Sequence, residues 1–177
     1  MPCCGLVAGA EHQTTKILEK RIDRILRAEI TGQQSEAVSA VNEISFAVEG
    51  FPPAKNEALS MLGTGHSHAP RVRLLLEAAR RACVEHAFVP VEKGYVSLDV
   101  VLRATADEAA WDATNYLGGI ADVLEDKSHR CAIEHLRDLA DVWLYRNDRQ
   151  IKQITYRERE SDKSGYTVTV RTLTGLV

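Results

Sequence analysis

No apolar run in these 177 residues approaches the ~20 residues that a membrane-spanning helix needs, so an integral membrane protein is not expected. The start of the chain lacks the marks of an export signal. The few apolar residues between Met1 and Ala10 have no basic lead-in and form too short a run for a secretory core, so the expected location is the cytoplasm. The cysteines lack the two-residue spacing of a zinc knuckle or a redox motif. Cys3 and Cys4 are adjacent while Cys83 and Cys131 stand alone, which reads as small buried or terminal thiols. Of the histidines, His66 and His68 are the nearest pair, and they fall in the Gly-rich run GTGHSHAP, which reads as a mobile loop rather than a metal site. There is no internal repeat and no low-complexity tract. An excess of positive charge is also missing: 22 Lys and Arg face 25 Asp and Glu, for a net charge of −3, a sum that argues against a nucleic-acid partner.

What is present is placement. Acidic residues gather around Glu108, Asp112, Asp122, Glu125 and Asp126, with Arg71, Arg73, Arg80 and Arg81 in one flanking segment and Arg146, Arg149 and Lys152 in another. An acidic centre between basic segments suits a metal-dependent enzyme acting on phosphodiesters, and solvated helix faces produce the same picture. The length supports one substantial core, hence one domain plus an extension.

Periodicity divides the chain. Ile17, Leu18, Ile22, Ile25, Leu26 and Ile30 share one side of a helical wheel over Thr14 to Ile30, with Gly32 as a left-handed cap, and Ala37, Val38 and Val41 give a weaker second helical pattern. These predict an N-terminal helical extension over residues 1–42, followed by a domain over 43–177. The run from Ile44 to Val48 has the period of a strand and stops at Gly50-Phe51-Pro52-Pro53. Pro70 suits the first turn of a helix from about Arg71 to His86, with Val72, Leu75, Leu76, Ala79 and Cys83 as its buried stripe and its arginines outward. Tyr95 to Leu102 alternates as a strand. A helix to Leu124 follows, turning Leu117, Ile120 and Leu124 inward. Its adjacent Gly118 and Gly119 each cost roughly 1 kcal/mol against Ala, which calls for close packing or for room beside a substrate backbone. A further helix is expected from about Arg130 to Leu139. Two strands, Gln150 to Arg157 and Tyr166 to Leu173, flank the turn-rich Ser161-Asp162-Lys163-Ser164-Gly165 and are expected to pair as a hairpin. The order strand, helix, strand, helices, strand, strand describes an α/β domain.

Two segments could carry chemistry. Asp112 stands just before a helix and Asp148 just before a strand, both positions from which functional carboxylates project. Magnesium takes oxygen ligands and keeps several waters, so two or three converging carboxylates suffice to hold it against a phosphate. An Asp before a helix also serves as an N-cap, and Asn147-Asp148 also serves as a turn.

Three stretches in order resemble the RusA family of Holliday-junction resolvases. They are Pro52-Pro53-Ala54-Lys55-Asn56 after the first strand, Asp112-Ala113-Thr114-Asn115-Tyr116-Leu117-Gly118 continuing to Asp122-Val123-Leu124, and Tyr145-Arg146-Asn147-Asp148-Arg149-Gln150-Ile151. With a closing hairpin the resemblance spans most of Ile44 to Leu173. It implies an α/β (α+β) fold with a mixed four-stranded sheet packed with helices. It also implies a homodimeric endodeoxyribonuclease, dependent on magnesium or manganese, that cuts branched DNA in recombination and repair. By position, Asp112 and Asp148 then become catalytic metal-binding carboxylates with Asp122 as a further ligand, and Asn115, Thr114 and Asn147 become supporting residues. Lys55, Arg71, Arg73, Arg146, Arg149 and Lys152 become DNA contacts. Three departures fall inside the motifs: Thr114 stands where the family has a second Asp, Gly118 where it has Lys, and Asn147 where it has the first Asp of a pair. A hydroxyl is a neutral ligand and glycine has no cation for a phosphate transition state, so a second reading is a RusA-like module that binds DNA or protein without cutting. The segment from Lys127 to Ala140 reads as an insert between the acidic motifs.

Overall fold

The structure, a computed structural model, describes residues 43–55, 61–105 and 112–174, all within a compact unit that runs from Ala40 to Val177. The expected N-terminal helices lie outside the described residues. Four strands are present: β1 (Glu43–Glu49), β2 (Tyr95–Ala104), β3 (Ile151–Glu160) and β4 (Gly165–Leu173). Two helices accompany them, α1 (Ala69–Glu85) and α2 (Ala113–Leu124). The strands make one mixed sheet in the order β1-β4-β2-β3, with β4 antiparallel to both its neighbours and β2 parallel to β3. This is an α+β fold. No helix among the described residues is long and apolar enough to cross a membrane.

Alternation sets the layers. In β1 the residues Ile44, Phe46 and Val48 are buried while their neighbours are exposed, and β4 buries Tyr166, Val168 and Val170 in the same rhythm. Val96, Leu98, Val100 and Leu102 of β2 join them. The core is completed by Val72, Leu75 and Leu76 of α1 and by Tyr116, Ile120 and Val123 of α2. The opposite sheet face is polar: the Ser45 and Thr169 hydroxyls share a 2.9 Å hydrogen bond, and Arg171 pairs with both Glu43 and Asp99. β3 is an edge strand whose Lys, Arg and Glu side chains are mostly exposed, a composition that discourages a foreign strand from adding there.

Two expectations are corrected. The two closing strands do not form a hairpin: β2 lies between them, pairing Leu98 with Ile154 on one side and with Val170 on the other. β2 is the most apolar strand, and burial on both edges and one face satisfies more of its surface than an edge place would. The segment from Arg130 to Leu139 is not one α-helix. It holds only a 3-10 stretch, Glu134–Leu139, broken where Arg137 takes a positive φ of 53°. Leu136 and Leu139 are nonetheless buried. Spacing of three satisfies a 3-10 turn as well as an α-helix. Also contrary to expectation, the GTGHSHAP run is anchored: His68 is buried, and its Nδ1 hydrogen-bonds the Ala54 backbone at 3.1 Å.

Candidate functional site

α2 starts at Asp112 because that residue, in extended conformation, turns its carboxylate back onto the first turn. Its Oδ1 accepts from the Asn115 amide at 3.0 Å and from the Thr114 hydroxyl, and its Oδ2 accepts from Asn115 Nδ2 at 3.0 Å. The Thr114 hydroxyl, followed by the Asn115 amide, holds the Asp112 carboxyl below the usual carboxylate range. Asp112, expected as a metal ligand, and Thr114 and Asn115, expected as its supporting residues, are thus tied to one another. Three of the roughly four acceptor positions of the carboxylate are engaged in capping.

The Pro52-Pro53 loop lies along the same helix. Lys55 N donates to Asn115 O at 2.9 Å, and a Cβ on Gly119 would stand 2.0 Å from the Pro53 carbonyl oxygen. Gly119 is therefore the point where loop and helix backbones touch. One residue earlier, a Cβ on Gly118 would meet the Lys55 side chain at 3.4 Å. Lys55 passes this glycine and reaches Asp122, with Nζ 2.9 Å from Oδ2. Asn115, Gly118 and Asp122 follow at helical spacing, so Lys55 runs down one face of α2. Phe51 stacks on Tyr116 with centroids 6.2 Å apart. Arg71 lies over the Phe51 ring and donates to Pro52 O at 3.3 Å, which spends its guanidinium partly on the loop.

A third segment closes the far end of the helix. Leu144 N donates to Leu124 O at 2.9 Å, Asp126 N to Tyr145 O at 3.0 Å, and the Tyr145 hydroxyl to Ala121 O at 3.0 Å. Tyr145 is fully buried. Burial raises its phenol pKa first, and the carboxylates of Glu125, Asp122 and Asp148 push it the same way. Asp122 and Glu125 lie at the end of α2 to which the Leu144-Tyr145 backbone is bonded, with Asp148 three residues on from Tyr145, while Asp112 caps the other end. Ten residues of helix at ~1.5 Å rise put Asp112 and Asp122 roughly 15 Å apart. Among the described residues no group of three or more His, Cys, Asp or Glu is arranged to hold a metal ion. The carboxylates present do not fit a magnesium or manganese ion held jointly by Asp112, Asp122 and Asp148.

Neighbours also engage the carboxylates at this end. Glu125 is buried and pairs with Arg130. Lys127, also buried, donates from Nζ to the carbonyls of Val123, Glu125 and Val142 at 2.8, 2.9 and 2.6 Å, and burial pushes its pKa down to about 8. That lysine fastens the start of the 127–140 segment to the helix end. Asp148 is exposed and opens a 3-10 turn, Asp148–Gln150, whose N-cap is Asn147: its side chain accepts from Arg149 N at 2.9 Å. Gln150 completes the turn. Its Oε1 accepts from Arg146 N and Asn147 N, and its Nε2 donates to Val91 O and Gly94 O, joining the approach to β2 with the approach to β3. Asn147 and Gln150 are therefore positioning residues of the turn.

The remaining basic candidates are spread. Arg73 donates to His135 O at 3.1 Å, Lys152 sits 5.1 Å over the Tyr95 ring, and Arg146 and Arg149 are exposed beside Asp148. Gly119, Lys127, Tyr145 and Gln150 carry the geometry here. The double glycine was a signal for the first, whereas the buried lysine has no local mark. No protein-family model matches the chain, and no curated protein matches it.

Proposed function

We propose that the chain is a RusA-like protein that binds branched DNA without metal-dependent cleavage at Asp112. The observation that carries this reading is convergence: the Pro52-Pro53 loop, the Asp112–Leu124 segment and the Tyr145–Ile151 segment, far apart in sequence, meet on the single helix α2. These are the three stretches on which the resemblance rests. The non-cutting form is favoured because Asp112 is engaged as a cap, Asp122 is neutralised by Lys55, and Asp112 lies at the opposite end of α2 from Asp122 and the Asp148 turn. The DNA contacts in this reading are Lys55, Arg71, Arg73, Arg146, Arg149 and Lys152, and the working form is a homodimer.

The test is an electrophoretic shift assay with a four-way junction and a matched duplex over a salt series, with magnesium, manganese or EDTA. Junction binding that weakens steeply with salt and is indifferent to the cation supports the reading. Absence of binding at low salt overturns it. Cleavage that needs the cation and disappears in both Asp112→Asn and Asp148→Asn replaces it with the endonuclease reading, the family's own activity.

A further inference from the structure

A groove of about 640 Å³ opens beside the far end of β1. Its walls are the end of β1, the exposed side of α1 and the 161–164 turn, and three cations from three separate elements line it: Arg81 of α1, Arg103 of β2 and Lys163 of the turn. The rim is fixed. Ser161 N donates to Ala104 O and Gly50 N to Ser164 O, both at 3.0 Å, so the turn is tied to the ends of β2 and β1. Arg103 is held in place as well: Nη1 donates to Thr167 Oγ1 at 3.0 Å, and the missing Cβ of Gly165 would sit 3.4 Å from its Nη2. A side chain at 165 would crowd the guanidinium.

The charge balance is the telling part. Arg80, Arg130, Arg171 and Lys55 each have a carboxylate partner. Arg81, Arg103 and Lys163 form no ion pair among the described residues; Glu49 is the acid that lines the groove, and Asp162 stands beside Lys163 in the turn. Three positive charges against Glu49 and the neighbouring Asp162 leave a surplus of one in a concave site, where low-dielectric walls concentrate the field. Two guanidinium groups, one of them anchored on Thr167, an exposed ammonium and the hydroxyl of Ser161 are groups of the kind that bind a phosphate.

We propose that this groove binds a phosphate group through Arg81, Arg103 and Lys163. The site is separate from the DNA contacts named above, none of which lines it. Its phosphate comes either from a free phosphate compound or from a nucleic-acid backbone, and two probes separate the sources. With the full chain, inorganic phosphate is titrated against the amide resonances of Lys163 and Gly165 at matched ionic strength in chloride, and a fluorescein-labelled single-stranded oligonucleotide is titrated by anisotropy. Arg81→Ala combined with Lys163→Ala is the test variant. Both side chains are exposed, so the fold should be kept, and an unchanged melting curve verifies it.

The expected result is a shift of both amides with phosphate, and at least a tenfold weakening in the double variant, about one order of magnitude being the worth of a lost charge-assisted contact. If the oligonucleotide competes with phosphate and weakens in parallel, the backbone is the source; if phosphate alone binds, a free phosphate compound is. Unmoved amides, or equal affinity in wild type and variant, overturn the proposal. Junction binding together with unmoved Lys163 and Gly165 amides leaves the RusA-like reading standing while this one falls. Phosphate binding without any DNA binding does the reverse.

Discussion

Replacing Gly119 by alanine drives a methyl group into the Pro53 carbonyl. The new carbon would start 2.0 Å from that oxygen and 2.7 Å from the carbonyl carbon, where contact begins near ~3.3 Å, so helix and loop must part by roughly 1 Å. Neither side yields easily. The loop is tied by Lys55 N to Asn115 O and by Arg71 to Pro52 O, and the helix is packed through Tyr116, Ile120 and Val123. Overpacking of this kind costs about 3 kcal/mol at the upper end of its usual range, and the better helix propensity of alanine returns about 1, leaving a loss of about 2 kcal/mol. For a chain of this size that lowers Tm by roughly 4–8 °C. Gly118→Ala has the opposite sign. Its Cβ meets only the flexible Lys55 side chain at 3.4 Å, an ordinary contact, so the propensity gain of about 1 kcal/mol survives and Tm rises by roughly 2–4 °C. Far-UV circular dichroism melts and urea titrations of the two variants side by side make the check. A Gly119→Ala protein as stable as Gly118→Ala would refute the packing of the Pro52-Pro53 loop on α2.

Three more outcomes follow from the site. Asp112→Ala lowers Tm by removing the cap, whereas Asp112→Asn keeps it. Because the Asp112 pKa is lowered in the folded state, its contribution is complete above the ordinary carboxylate range and is lost as pH falls through the folded value, so acid melts of wild type and Asp112→Ala should converge. Lys127→Met leaves three carbonyls without their donor, and urea titration should show a loss of roughly 3 kcal/mol at neutral pH. Its pH dependence also has a definite sign. With a folded pKa of about 8 against 10.5, the unfolded chain binds more protons between those values, so wild-type stability relative to Lys127→Met should rise with pH across that window. Gln150→Ala cuts the bridge from residues 91 and 94 to residues 146 and 147, and should cost about 2 kcal/mol and speed amide exchange in that turn.

The legible parts were those that repeat within one element. Alternation in Ile44–Val48 and Tyr95–Leu102 gave strands and their buried faces, and the stripe of Val72, Leu75, Leu76 and Ala79 gave α1 and its inward side. Partnership was not legible. Two strands around a turn-rich link suggest a hairpin, and nothing within either strand says that β2 separates them. Asp112 illustrates the same limit at the site, since a capping Asp and a metal-binding Asp before a helix look alike until the hydrogen bonds of Thr114 and Asn115 are seen. The ion pair of Lys55 with Asp122 and the meeting of Arg81, Arg103 and Lys163 depend on folding of distant segments. Gly119 lies between these cases: the paired glycines announced close packing, and only the structure names Pro53 as the neighbour.

The place of β4 bears on how such a chain comes off the ribosome. β4, the last of the described strands in chain order, is interior to the sheet and, among the described residues, is what joins β1 to the rest of it. Until Gly165 and the residues after it emerge, β1 has no partner among the described strands, and one long edge of β2 lacks the strand that covers it. The nascent domain therefore cannot zip up progressively from its N-terminal side. It waits for its final strand, with two sticky edges open in the meantime, and becomes native in one late closing step.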